Sequence, residues 1–334
     1  MESSMSRRTF LAASTAGLGM AAMGAGKAVP SKDAAAMPKR KLGKLGWEMS
    51  LLGFGGGSRF ILQTDMAEVE GMIDRAVELG VTYFDTAHAY TTPDKKRESH
   101  LRYGKFLTPF YRKQITLISK LGGRTAEAAK REMDETLADL KTDHLDICHF
   151  HSLVTTKTVD TDKVLAKGGA LEIYRKWKET GVIRAIGISS HANPPALLDA
   201  MKRIEPDVVM CPVNPGHGKD HLGGATFNDS VLPYAREHGI GVVAMKPTGR
   251  GGLTGKNGVT AEELVRYAMS QPLTTVSVGI DSLIVLESCA RVARTLQPMT
   301  AAERSDLEKK LASVDMNHAL PYLAAGYVDG PCWA

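Results

Sequence analysis

From Leu51 onward, short apolar runs alternate with longer stretches whose apolar residues recur every three or four positions. The short runs are Leu51–Gly55, Val81–Asp85, Ile115–Lys120, Leu145–His151, Val182–Ser189, Val208–Val213, Ile240–Lys246 and Thr275–Gly279. Their length and β-branched content predict buried strands. The stretches between them predict amphipathic helices over Met66–Leu79, Ala126–Leu140, Ala170–Thr180, Pro195–Ile204, Asp229–His238, Ala261–Ser270 and Leu283–Leu296. Gly80, Gly181 and Gly239 stand where such helices end. Eight strand–helix units with continuously apolar strands imply a parallel sheet covered by helices, and eight is the number that closes a (β/α)8 TIM barrel. An open doubly wound sheet is the rival, but Gly53-Phe54-Gly55-Gly56-Gly57 lacks the glycine spacing of a dinucleotide-binding turn. Residues 38–50 read as a hairpin capping the barrel, and the last ~35 residues as a helix and a tail.

The N-terminus changes the domain picture. Ser6-Arg7-Arg8-Thr9-Phe10-Leu11 precedes an apolar run to Ala25 that is rich in alanine, glycine and methionine. This spells a twin-arginine signal peptide over residues 1–28, and it implies partnership with that translocation machinery and a periplasmic destination. The run is too short for a stable membrane span. Residues 29–38 read as a linker and 39–334 as one barrel domain.

Composition alters little. The 334 residues are 43% hydrophobic and 24% charged, with a net charge of +5. Part of the excess lies in Lys39-Arg40-Lys41 with Lys44, a solvated segment and not a nucleic-acid footprint. Four cysteines without a CxxC pair form neither a zinc site nor a disulfide framework.

Chemistry concentrates where the strands end, as it does in barrels. Those positions hold Asp85, Lys120, His151, Ser189, Ser190, Asn214 and Lys246. Singly, Asp85 reads as a turn cap, Lys120 as a snorkelling side chain and His151 as a core histidine. Together they resemble the aldo/keto reductase family from Lys39 to about residue 295. Leu51-Leu52-Gly53-Phe54-Gly55-Gly56 is similar to its first strand. Asp85-Thr86-Ala87-His88-Ala89-Tyr90 carries its most specific motif, and Ile118-Ser119-Lys120 its third-strand lysine. Leu137, Leu140, Asp143, Leu145 and Asp146 lead to His151 as in its fourth strand, and Gly181–Ser189 is similar to its fifth.

The resemblance implies NAD(P)H-dependent reduction of a small-molecule aldehyde or ketone. Tyr90 is then the general acid, Lys120 favours its phenolate, Asp85 pairs with Lys120, and His151 orients the carbonyl. It also implies cofactor contacts from Gly55, Ser189, Ser190, Asn214 and Met245. After strand seven, Lys246, Thr248, Gly249, Gly252 and Lys256 would belong to a loop wrapping the pyrophosphate with backbone N–H groups. Gly279 and Ser282 would follow at strand eight. No metal is implied. Family habit favours NADP(H) over NAD(H). Several cofactor positions depart from the family pattern: Ser190 stands for asparagine, Pro212 for glutamine, Met245 for an aromatic, and Asp281 for the basic residue that meets a 2′-phosphate. Val285 and Ser288-Cys289 stand where adenine contacts belong.

Three other readings remain open. His149 and His151 share a strand face and, with His191, His217 and Asp281, could serve a metal-dependent hydrolase. Lys120 could form a Schiff base. A barrel with so altered an adenosine site could be a weakly catalytic binding protein. The pocket would be shaped by residues 59–64, residues 153–167 and the tail through Trp333, with Ile61, Leu62 and Tyr327 as candidates for substrate contact.

Overall fold

The computed structural model describes residues 36–324, apart from 93, 95 and 217–223, together with Tyr327. The signal peptide, most of the expected linker, His217 and the end of the tail lie outside the described residues. A hairpin comes first, pairing β1 (Lys39–Leu42) antiparallel with β2 (Trp47–Ser50). Eight parallel strands then close on themselves: β3 (Leu52–Gly55), β4 (Tyr83–Asp85), β5 (Thr116–Leu121), β6 (Leu145–Val154), β7 (Ile183–Ser190), β8 (Val208–Pro212), β9 (Gly241–Met245) and β10 (Thr275–Gly279). They are bonded in chain order, with β10 against β3. This is the (β/α)8 barrel, and the hairpin plugs it: Leu42 and Met49 pack with Tyr83, Ile118, Ile147 and Val243 inside the lumen.

Period-two alternation sorts each strand between two cores. On β6, Ile147 joins the lumen, whereas Cys148 and Phe150 join the layer beneath the helices, where Phe150 stacks on Tyr174 with ring centroids 4.0 Å apart. His149 and His151 therefore point inward with Ile147. His149 is fully buried, and burial, with the charge of Lys120 second, pushes it down to about 3, so it is a neutral core histidine. Its ring fits because β7 offers Gly187 opposite, where a Cβ would lie 2.3 Å from His149 Nδ1.

The helices over Ala126–Leu140 and Ala170–Thr180 have the expected bounds. Gly80, Gly181 and Gly239 all take positive φ. One expected helix, residues 229–238, is different. Its chain makes a π-helical turn over Phe227–Val231, and α-helix spans only Leu232–Glu237, because Pro233 lacks an N–H and is tolerated only in a first turn. Among the helices hidden in the sequence, two stand near the barrel mouth. Ser58–Leu62 stands where a loop was expected. Glu98–Phe106 buries Ser99, His100 and Arg102 along with Tyr103 and Phe106, so polar residues on its inner face mask the apolar period.

The chain after β10 forms helices over Leu283–Arg294 and Ala301–Leu311 and then returns to the barrel rim. Leu311, Met316, Ala319, Leu320 and Tyr322 pack on Leu253, Val259 and Leu264 of the segment after β9. Among the described residues, no helix is long and apolar enough to cross a membrane.

Candidate active site at the C-terminal rim of the barrel

Asp85 is the last residue of β4, and the turn after it is stitched to β5. Thr86 N–H donates to Ile118 O and His88 N–H to Lys120 O, both at 3.0 Å. Tyr90 N–H then donates to Ala87 O, which folds Tyr90 back over the barrel mouth. Lys120 thereby meets three acceptors. Its Nζ lies 2.8 Å from Asp85 Oδ2, 2.8 Å from Thr86 O and 3.2 Å from Tyr90 Oη. An ammonium has three protons, and these acceptors take them all. The Nζ also lies 4.6 Å from the centre of the Tyr90 ring. His151 completes the group, its ring edge-on to Tyr90 with centroids 5.6 Å apart. All four side chains are buried, the most accessible being His151 at 7%.

Asp85 is held from behind, its carbonyl accepting from Gly56 N–H and Tyr103 Oη. Two further buried phenols stand close by. Burial first, and the Asp85 charge second, push Tyr83 and Tyr103 well above the ordinary tyrosine range. Tyr90 is the phenol whose oxygen touches the ammonium. On the far side, His100 accepts from or donates to Ser119 at 2.9 Å, and burial holds it well below the usual histidine range.

A cleft of about 440 Å³ leads away from Tyr90 and Asp85. Met210, Met245 and Ser277 line it near the barrel mouth, Lys246–Thr248 and Arg250–Gly251 further out, and Asp281, Val285, Ser288 and Cys289 also stand in its wall. Of the expected cofactor positions, Gly55, Met245, Lys246, Thr248 and Gly279 are in this wall. Seven others are elsewhere and mostly employed in holding the fold. Ser189 Oγ donates to Phe150 O, and Ser190 Oγ ties the end of β7 to Val154 O. Asn214 Nδ2 donates to Lys246 O and Tyr322 Oη. Gly249 is buried under Leu320 and Leu253, and Lys256 faces solvent. Ser282 caps the helix over Leu283–Arg294.

Gly252 is needed for packing: a Cβ there would lie 1.8 Å from Ala319 O of the returning tail. The loop expected to cradle the pyrophosphate is bonded to itself. Gly249, Gly251, Gly252 and Leu253 spend their N–H groups on Lys246, Thr248 and Gly249 carbonyls within the loop. A tight self-bonded turn has no N–H left over for a phosphate from these four residues.

Side chains supply positive charge instead. Arg59, Lys246 and Arg250 all line the cleft. Arg59 Nη1 lies 3.5 Å from Asp281 Oδ2, and its Nη2 donates to Arg250 O at 3.2 Å. Arg250 Nη2 reaches Ser58 Oγ at 3.4 Å. Arg59 and Arg250 were not among the expected cofactor positions, yet both line the cleft. Arg59 lay in a stretch read as substrate loop, and Arg250 was read only as part of a glycine string. Its φ of 62°, unusual for a residue with a Cβ, is a property of the fold. Three cations along a long cleft, with a buried Tyr–Lys–Asp group in its wall, fit a dinucleotide with two linking phosphates.

The other readings meet this geometry as follows. His149 is enclosed beside Gly187, and among the described residues no three His, Cys, Asp or Glu side chains converge as metal ligands. A Schiff-base lysine must be a free amine, whereas the Lys120 donors are spent on Asp85, Thr86 and Tyr90. Cys148, Cys211 and Cys289 are buried and unpaired.

A sequence model described as the aldo/keto reductase family matches residues 51–294. Among curated proteins, the chain is 28% identical over 235 residues to the uncharacterized oxidoreductase YqkF of Bacillus subtilis, covering 66% of this chain and 68% of that one. It is 26% identical over 226 residues to L-galactose dehydrogenase of Arabidopsis thaliana, covering 64% and 66%. Among solved structures, it superposes on the holo form of aldo-keto reductase AKR11C1 from Bacillus halodurans with a TM-score of 0.63 and 25% identity, over 85% of this chain and 99% of that one.

Proposed function

This chain belongs to the aldo/keto reductase family, and on that premise we propose that it reduces an aldehyde or ketone to the alcohol with Tyr90 as the proton donor. The observation that carries the reading is the contact of Lys120 Nζ with both Tyr90 Oη and Asp85. When bound, a dihydronicotinamide supplies the hydride that reaches the carbonyl carbon. Tyr90 holds its proton at Oη, beside the site of the developing alkoxide, and hands it to that oxygen. Lys120 favours release of the proton by placing positive charge 3.2 Å from the phenol oxygen. Asp85 keeps that ammonium charged in a site nearly free of solvent. His151 faces the Tyr90 ring and is placed to donate to the same carbonyl oxygen, orienting it. Arg59, Lys246 and Arg250 hold the phosphates.

On cofactor choice, Asp281 argues against the family habit of NADP(H). A carboxylate in the cleft wall repels a 2′-phosphate and accepts a hydrogen bond from a free ribose hydroxyl, which favours NADH. The rearranged wall around it also keeps a second reading in play, a barrel that binds the dinucleotide but turns over slowly. We further propose that the protein works in the periplasm after export through the twin-arginine route, on the strength of Arg7-Arg8 and the apolar run behind them.

One experiment separates these readings. Fluorescence titration with NADH and NADPH is followed by carbonyl reduction with wild type and Tyr90→Phe. The reading expects dinucleotide binding by both proteins and a loss of about 10²–10⁴ in kcat for the variant. Binding without turnover of any aldehyde or ketone selects the second reading. Full activity in Tyr90→Phe overturns the mechanism.

A further inference from the structure

His151 stands at a place where the barrel stops supporting its own strand. On one edge of β6, the last residue paired with β5 is Phe150, opposite Leu121. On the other edge, Phe150 pairs with Ile188, and the ladder with β7 resumes only at Val154, after a register shift. Residues 151–153 thus lie past the β5 ladder and in the interval between paired positions of the β7 ladder, although β6 continues through them. A backbone carbonyl in that interval can be held by a side-chain donor.

That donor is Arg124, which follows β5 after Gly122-Gly123. Its Nη2 donates to His151 O at 2.7 Å and to Ser152 O at 3.0 Å. The guanidinium is anchored in turn, its Nε 2.9 Å from Asp160 Oδ2. Asp160 belongs to the segment just beyond β6 and donates its own N–H to Leu153 O. Both side chains are mostly buried, Arg124 at 18% and Asp160 at 13% exposed.

We infer that Arg124, fixed by Asp160, is a positioning residue that sets the placement of the His151 imidazole against Tyr90. It bonds the backbone where the register shifts, at the residue that carries the imidazole. A planar guanidinium suits the task because a single nitrogen spans two successive carbonyls while a second is tied to the carboxylate. The inference rests on the role given to His151 in the proposed reduction, and the test keeps the two apart.

Arg124→Gln, Arg124→Lys, Asp160→Asn, His151→Ala and the double variant Arg124→Gln/His151→Ala are compared in the full chain. Thermal unfolding confirms folding. Arg124→Gln should lower kcat/KM by about tenfold to a hundredfold, the scale of a displaced orienting group. Arg124→Lys and Asp160→Asn should lose less, with dinucleotide affinity unchanged in all. The double variant should be no worse than His151→Ala alone, because the arginine acts through the histidine. Independently of turnover, the His151 ring resonance, identified by its disappearance in His151→Ala, should shift or broaden in Arg124→Gln and in Asp160→Asn, while that of His149 stays in place. Losses that multiply in the double variant, or an unmoved His151 resonance, overturn the inference. If His151→Ala costs no activity while the resonance still moves in Arg124→Gln, the positioning stands and the role of His151 in the reduction falls.

Discussion

The two ends of the cleft are built by different means. At the Tyr90 end, Asp85 and Lys120 project from paired strands, and the side chains are buried and bonded to one another. At the Asp281 end, the wall comes from loops and helix starts, and Arg59 and Asp281 pair while 51% and 36% exposed. A barrel strand leaves its terminal side chain little freedom, so chemistry placed there depends on few residues. Loop walls are assembled from whatever side chains reach across, and they tolerate exchange. The strand-borne end carries the residues on which the family resemblance rests, whereas the Asp281 end departs from that pattern.

The sharpest way to test the rigid end is Lys120→Met. It should lower kcat by about 10²–10⁴ and destabilise the fold by about 3–5 kcal/mol, since it leaves Asp85 buried without its counter-charge. Urea unfolding at neutral pH reads the second effect, and wild-type stability in this variant would show that the pair carries none of it. Next is Gly187→Ala, whose methyl would collide with the His149 ring beneath the group. A cost of about 1–3 kcal/mol is expected, with dinucleotide affinity unchanged. A weakened cofactor titration would mean that the two ends are not independent.

Acid should also act on the interior. His149 takes a proton near pH 6.5 when unfolded and only at about 3 when folded, so between those values the unfolded chain binds more protons. Its contribution is fully present above about pH 6.5 and is lost as pH falls, at about 1.4 kcal/mol per unit. His100 shifts in the same direction. Urea midpoints from pH 7 to 4 measure the slope, and His149→Gln should flatten it by one proton. An unchanged slope in that variant would remove His149 from the account. The smallest effect belongs to the loop end. Asp281→Asn should tighten NADPH by about threefold to tenfold, with NADH little changed and kcat untouched, and salt should blunt the difference.

Much of this was legible in the chain, and the limits were physical. Asp85, Lys120 and His151 could be placed because each ends an apolar run, and parallel strands in register bring such ends together; Tyr90 was placed by the family motif that begins at Asp85. Glu98–Phe106 escaped notice because its buried face carries Ser99, His100 and Arg102. The Lys246–Lys256 segment has a second role that its sequence did not show. Its glycines spell a phosphate loop, yet Gly249 and Gly252 make room for Leu320 and Ala319, which arrive from the C-terminal tail.

Local periodicity therefore determined the barrel and its eight strands, and strand-end position determined where Asp85, Lys120 and His151 stand, because each of these depends on neighbours within one strand–helix unit; Tyr90 came from the family motif that begins at Asp85. Closure of the barrel and the return of the tail decided the rest. Pairing β10 with β3 brings Asp281 to Arg59, and the lapse of the ladder beyond Phe150 hands His151 to Arg124. Such contacts join residues far apart in the chain whose separate environments give no local sign of the meeting, so they exist only once the backbone has closed.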